Sequence, residues 1–334
     1  MSFLVLGAGS WGTAIALHLS RLHPQVYLWD RDAKRIAEMK NTRENIRYLP
    51  GIFFPDGLTV VDKYVEAENI IIAVPSHAFR EIVTQLKPYF TSGKKLICIT
   101  KGLDGENHQL LHQAAKQILG EDILYAVLSG PSFAKEVAMA LPTAVTLAVS
   151  HQSLGKYLIS VFHSPCFRVY LSEDITGVEL GGAVKNVLAV AVGMAEGLAC
   201  GANAQAALIT RGLAEMMRLG LALGAMPETL TGLSGVGDLI LTCTNNQSRN
   251  RRFGMQLGQG QPCEAAEKSI NQVVEGIHTA REIYYLSRQH AVEMPITQQV
   301  YQVLYENLSP QQALKNLLMR EPKQEILSFY SGKN

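Results

Sequence analysis

The sequence predicts an α/β fold in two parts, an N-terminal doubly wound sheet followed by an all-helical C-terminal domain. Short β-branched runs alternate with longer helical patterns through the first half, the rhythm of a parallel sheet covered on both faces. From Asp174 onward that strand signal ends, and Ala, Leu, Met and Glu recur at helical spacing. A chain of 334 residues also exceeds the usual size of one core. The division is therefore expected at residue 175, giving domains 1–175 and 176–334.

Strands are predicted at Phe3 to Leu6, Val26 to Asp30, Leu58 to Val61, Ile70 to Val74, Leu96 to Thr100, Leu124 to Leu128, Ala144 to Val149 and Phe167 to Leu171. Each is a short apolar run of strand length. The stretch from Asn41 to Asp56 holds two prolines and a Phe-Phe pair without a clear period, which predicts a long connection folded over the sheet. In the second half, helices are predicted over Val178 to Cys200, Ala204 to Gly224 and Gln299 to Leu318. No repeat of fixed period and no low-complexity tract occurs.

Hydrophobic residues make up 47% of the chain and charged residues 18%, which predicts extensive burial and a subunit interface. Small residues at Gly193 and Gly197 allow close helix approach, so a homodimer is expected. A net charge of +1 gives no global field toward nucleic acid or anionic lipid. The five cysteines are odd in number and form no Cys-x-x-Cys pair, which fits a reducing cytoplasm. Phe3 to Leu6 lacks the basic leader of a signal peptide. No membrane span is expected, because the most apolar stretch, Val178 to Ala199, contains Glu179, Lys185 and Glu196.

Gly7-Ala8-Gly9-Ser10-Trp11-Gly12 follows the first strand directly and opens a helical run. In that context Gly7 permits the tight turn, Gly9 lets the backbone approach a pyrophosphate, and Gly12 lets the helix pack on the strand. This is the dinucleotide fingerprint of a Rossmann-type sheet. Asp30 ends the second strand about 20 residues on, where a carboxylate accepts ribose hydroxyls, which favours NAD. The adjacent Arg31 suits the 2'-phosphate of NADP or the adenine face, so NAD and NADP both stay open.

Lys101-Gly102 stands at the end of the fifth strand, where ligands of doubly wound sheets sit. Gly130 and Ser132 form a second strand-end element; Ser132 reads best as a helix cap, with ligand binding as the alternative. Lys185 lies in a segment apolar on nearly every side, and a buried ammonium near a second cation such as Lys101 has a lowered pKa suited to acid/base work. Asp238 and Thr242, one helical turn apart in Leu233 to Thr244, share a face. Ser248-Arg249-Asn250-Arg251-Arg252 is dense in phosphate-binding groups. His108 and His112 are expected on one solvated helical face, without a third ligand, so no metal site is expected.

Assembled in order from Gly7 to Glu275, these motifs make the sequence resemble the NAD(P)-dependent glycerol-3-phosphate dehydrogenases of bacterial type. Gly-Leu-Ser-Gly-Val-Gly-Asp-Leu followed by Ser-Arg-Asn-Arg-Arg-Phe-Gly is the most specific part. The resemblance implies cofactor contacts at Ser10, Trp11, Arg31, Lys101, Ala134, Arg249, Val273 and Glu275. It further implies substrate contacts at Lys101, Gly130, Ser132, Lys185, Asp238, Ser248, Arg249 and Asn250, with Lys185 as proton acceptor. Asp30 departs from the family pattern, which often has a small or uncharged residue there. The implied reaction exchanges dihydroxyacetone phosphate and sn-glycerol 3-phosphate, the precursor of phospholipids. A dehydrogenase of another hydroxy acid and a nicotinamide-sensing protein without catalysis are the rival readings.

Overall fold

The computed structural model describes residues 1–322; residues 323–334, at the end of the expected second domain, lie outside the described residues. Eight strands form one sheet: β1 (Phe3–Leu6), β2 (Val26–Trp29), β3 (Leu58–Val61), β4 (Asn69–Ile72), β5 (Lys95–Cys98), β6 (Leu124–Ser129), β7 (Thr143–Val149) and β8 (Phe167–Ser172). Their spatial order is β3-β2-β1-β4-β5-β6-β7-β8. Each predicted strand is present within two residues of its expected ends.

Helices α1 (Ser10–Ser20), α2 (Ala33–Thr42), α3 (Ser76–Leu86) and α4 (Leu111–Leu119) connect strands that stay parallel through β6. The sheet then departs from the expected all-parallel pattern, because β7 runs antiparallel to β6. Between them lies only α5 (Ala134–Ala138). A helix of that length spans about 8 Å, against about 20 Å for β6, so it does not carry the chain back to the start of the sheet. The longer α6 (Gln152–Phe162) does, and β8 is parallel to β7.

The second half contains α7 (Ile175–Gly197), α8 (Gly201–Ala222), α9 (Pro227–Thr231), α10 (Asp238–Thr244), α11 (Arg249–Gly258), α12 (Cys263–Ile270), α13 (Glu275–Gln289), α14 (Pro295–Tyr305) and α15 (Pro310–Leu318). The single helix expected over Gln299 to Leu318 is two helices. Asn307 adopts a left-handed conformation (φ 57°), and Ser309 caps a new helix that begins at Pro310.

Helix α7 is the hub of this half, buried continuously from Gly177 to Ala195. It is long and apolar enough to cross a membrane by length and composition, but 89% of that window is buried inside the protein, as befits a core helix. Glycines on α7 face glycines on α11. A Cβ on Gly193 would lie 2.1 Å from the Arg251 carbonyl oxygen, and one on Gly254 would lie 2.1 Å from that of Val190. Gly197 and Gly258 abut in the same crossing. The small residues expected to serve a subunit interface are thus spent inside the chain.

The two histidines do not share a helical face. His108 precedes α4 in a left-handed conformation (φ 50°) and its Nδ1 bonds the Glu282 carboxylate on α13. His112, on α4, bonds Glu179 on α7, its Nδ1 lying 2.9 Å from Oε2 and its backbone N–H donating at 3.1 Å. Glu179 also accepts from the buried Tyr125 hydroxyl at 2.5 Å, so β6, α4 and α7 meet at one carboxylate.

Candidate active site

β1 is followed by Gly7, whose φ of 110° favours glycine, and the chain turns into α1. A Cβ on Gly12 would sit 2.0 Å from the Gly7 carbonyl oxygen, so the helix packs on the turn only because Gly12 lacks a side chain. A Cβ on Gly9 would meet nothing within 4 Å, which leaves its backbone open to a ligand at the helix N-terminus. Behind the turn, Asn45 Nδ2 donates to the Ala8 carbonyl at 2.9 Å and to Thr13 Oγ1 at 2.8 Å. The connection after α2 therefore folds over the sheet as expected and braces the turn.

Asp30 follows β2, and its carboxylate is already engaged. Oδ2 accepts the Ala8 N–H at 3.1 Å, while Oδ1 accepts the Asp32 N–H at 2.9 Å and pairs with Arg35. A ribose hydroxyl would share this carboxylate with protein donors, which weakens the expectation that Asp30 alone favours NAD. Arg31 is exposed at the same edge.

Lys101 and Lys185 meet on Asp238. Lys185 Nζ donates to Asp238 Oδ1 at 2.6 Å and to Thr242 Oγ1 at 3.0 Å; Lys101 Nζ donates to Asp238 Oδ2 at 2.7 Å and to the Gly130 carbonyl at 3.0 Å. Asp238 is 1% exposed and Lys185 7%. Burial lowers the Lys185 pKa to about 8, with Asp238 opposing the shift and Lys101 adding to it. A π-helical turn, Leu233–Gly237, delivers Asp238 to this point. Gly235 is needed there, since a Cβ would lie 1.8 Å from the Leu230 carbonyl oxygen.

Ser248 caps α11, its hydroxyl accepting the Arg251 N–H at 3.2 Å, which aims the following residues at the cleft. The Arg249 guanidinium makes no hydrogen bond among the described residues and faces Glu275; burial lowers the pKa of Arg249 and raises that of Glu275. Asn250 is held at both ends, its Oδ1 accepting the Gly276 N–H at 2.9 Å and its Nδ2 donating to Asn186 Oδ1 at 2.8 Å. Ser132 does not cap a helix. Its hydroxyl donates to the Gly130 carbonyl at 3.0 Å, and α5 starts after Phe133 with no side-chain cap.

A cleft of about 630 Å³ joins these parts, lined from Gly7, Gly9, Ser10 and Trp11 through Lys101 and Lys185 to Arg249 and Glu275. Of the residues expected at the site, Asp30, Arg31, Ser132, Ala134, Thr242, Ser248, Asn250 and Val273 also line it. Gly12, Gly130 and Asp238 lie behind the wall, where they shape the turn, anchor Lys101 and bridge the lysines. Arg252, from the basic run after Gln247, lines it too, while the sequence reading missed Arg35, Tyr48 and Asn186 as lining residues. Asn186 adjoins Lys185 in a run otherwise apolar, a signal that was there to find. The Arg35 guanidinium lies 5.2 Å from the Tyr48 ring centroid, a pairing that only the folded connection after α2 reveals.

Family comparison covers almost all of this architecture. Residues 2–155 match the N-terminal model of NAD-dependent glycerol-3-phosphate dehydrogenase, and residues 174–315 match its C-terminal model. The chain belongs to this family. Among its dehydrogenase relatives, glycerol-3-phosphate dehydrogenase [NAD(P)+] of Methylococcus capsulatus is 51% identical over 326 residues, covering 96% of this chain and 97% of that one. The corresponding Enterobacter protein is 48% identical, covering 97% of each. The crystal structure of glycerol-3-phosphate dehydrogenase from Coxiella burnetii superposes with a TM-score of 0.93 at 47% identity, covering 96% of this chain and 99% of that chain. D-mandelate dehydrogenase, at 13% identity and a TM-score of 0.65, shares the fold alone.

Proposed function

We propose that this chain interconverts dihydroxyacetone phosphate and sn-glycerol 3-phosphate with NAD(P)(H), and that Lys185 moves the proton. The observation that carries this reading is the buried Lys185 amine, 2.6 Å from Asp238 and in the same cleft as the glycine turn and Arg249. The open backbone at Gly9 and the unbonded Arg249 guanidinium fit a bound dinucleotide. When bound, the nicotinamide supplies or takes the hydride at C2 of the substrate.

The residues of this chain do the rest. Arg249 and Asn250 hold the phosphate, Arg249 through a planar fork suited to it. In reduction, Lys185 gives a proton to the C2 oxygen as negative charge develops there; in oxidation the neutral amine takes it back. Lys101 adds positive potential beside that oxygen. Asp238 and Thr242 fix the Lys185 amine on one side, so its remaining N–H is free for the substrate. Gly130 and Ser132 add polar groups at the same strand ends.

The reading extends to a cytoplasmic homodimer that supplies glycerol 3-phosphate for phospholipid synthesis, with its parts divided at residue 175. The dimer rests on the low charged fraction alone, and size-exclusion chromatography giving only the monomer mass would remove it. The purified chain tested by nicotinamide absorbance against dihydroxyacetone phosphate and against small 2-oxo acids tests the activity. Oxidation of NADH or NADPH only with the phosphate supports it; turnover of the oxo acids instead, or of neither, overturns it.

A further inference from the structure

The segment that carries Lys101 belongs physically to the helical half of the molecule, although it starts from the sheet. Just past β5, Gly102 presses against Ser76, where an added Cβ would lie 2.5 Å from the Ser76 Cβ. Leu103 and Leu110 are buried in the same apolar cluster as Val184, Ile283 and Leu286, on α7 and α13. Between them the chain closes on itself, the Asp104 N–H donating to the Gln109 carbonyl at 2.9 Å. Residues 101–110 thus form a strap whose apolar ends are anchored beneath α7 and α13.

The tip of the strap is tied by a side-chain contact to a buried carboxylate. The His108 Nδ1 bonds Glu282, which is 2% exposed, and the His108 ring stacks on Tyr285 at 4.7 Å. Glu282 lies seven residues after Glu275 on α13, which places both on one face. Glu275 in turn accepts from the Ser76 hydroxyl at 2.8 Å, beside Gly102. One face of α13 therefore bonds the tip of the strap directly and reaches its root through Ser76. His108 has φ 50°, the left-handed region that is uncommon for residues other than glycine though His, Asn and Asp enter it more readily than most, and its side-chain contacts hold it there.

We propose that His108 and Glu282 are positioning residues for Lys101: their contact locks the strap to α13 and so keeps Lys101 Nζ on Asp238 beside Lys185. This rests on the role given to Lys101 above. Lys101 has a long flexible stem and 15% side-chain exposure, so its 2.7 Å contact with Asp238 is set by where the strap delivers its Cα. The root has holds of its own, Asn186 Nδ2 donating to the Lys101 carbonyl at 3.3 Å and Arg80 pairing with Asp104 at 2.6 Å, so loosening the tip widens the range of Lys101 positions, and the second cation spends less time on Asp238 while Lys185, held on α7 and α10, stays.

The test is a double-mutant cycle. His108→Asn keeps a residue that tolerates the left-handed backbone but does not reach Glu282, and Arg281 still pairs with Glu282 at 2.9 Å, so no bare carboxylate is left buried. Glu282→Gln keeps volume and an acceptor and serves as the conservative control. His108→Asn is expected to lower kcat/KM for dihydroxyacetone phosphate on the order of tenfold in the wild-type background, and to change it little in a Lys101→Ala background. Cofactor dissociation constant and melting temperature are read for each variant. Glu282→Gln is expected to fall between wild type and His108→Asn. Equal losses in both backgrounds, or no loss in the first, overturn the positioning role. Wild-type activity of Lys101→Ala by itself would instead remove the role of Lys101, a separate failure.

Discussion

Asp238→Asn removes the one negative charge shared by two lysines, at 2.6 Å from Lys185 and 2.7 Å from Lys101. With the carboxylate in place, burial holds Lys185 at about 8. A carboxylate in contact is worth about 1–3 pH units of a neighbour's pKa, so the amide lowers Lys185 to about 5–7. The sign follows from the proton's direction. Reduction needs the ammonium and is strong below the pKa, declining as pH rises through it; oxidation needs the free amine and does the reverse. The wild-type midpoint is expected near 8, and both limbs move to lower pH in the variant. At about pH 7.4 the reductive kcat falls about 3-fold to about 200-fold, the ratio of the protonated fractions for a midpoint moved from about 8 to about 7 or to about 5. Nicotinamide absorbance followed across the pH range in both directions reads the two midpoints. An unmoved midpoint, or one that rises, refutes the coupling of Asp238 to Lys185.

Arg31→Ala is expected to raise KM for NADPH more than for NADH, because the exposed guanidinium stands at the β2 edge where a 2'-phosphate would lie; equal changes would place that group elsewhere. Gly193→Ala drives a methyl into the Arg251 carbonyl and should cost about 1–3 kcal/mol or more, read as a lower melting temperature together with weaker substrate binding, since Arg249 and Asn250 ride on α11. His18, 5% exposed, has its pKa lowered by burial from 6.5 to about 4, while its Nε2 contacts the Phe162 carbonyl at 2.7 Å. Because the unfolded chain takes the proton first, stability is full above about 6.5 and falls as pH drops toward 4, by on the order of 3 kcal/mol. His18→Gln keeps a donor and should flatten that dependence; an unchanged melting-temperature slope with pH would discount His18.

Much of the sheet was legible because each strand is a short apolar run closed by turn residues, and the glycine turn announced itself by its place after the first. What the sequence did not reveal depends on contacts between distant segments. The reversal of β7 follows from how short α5 is, a length that Pro131 and Pro142 around it did not disclose. Gly193 and Gly197 read equally well as an external or an internal contact, and only Gly254 and Gly258 on the crossing helix decide between them. Lys185 and Asp238 were visible as a buried amine and a polar face, and fifty-three residues of chain separate the atoms that now touch. Asp30 was visible as a carboxylate at the right distance from the glycines, but nothing in its neighbourhood foretold that Ala8, Asp32 and Arg35 would occupy it. His108 and His112 looked like a solvated pair because Glu282 and Glu179, their partners, lie far along the chain.

The most direct measurement is single-turnover hydride transfer by Lys185→Ala with reduced cofactor already bound and dihydroxyacetone phosphate added. The account predicts cofactor affinity close to that of the native chain and a transfer rate lower by on the order of a hundredfold or more. Transfer at the native rate would show that the buried amine is not the proton donor, and the assignment of the site would have to be rebuilt around another group.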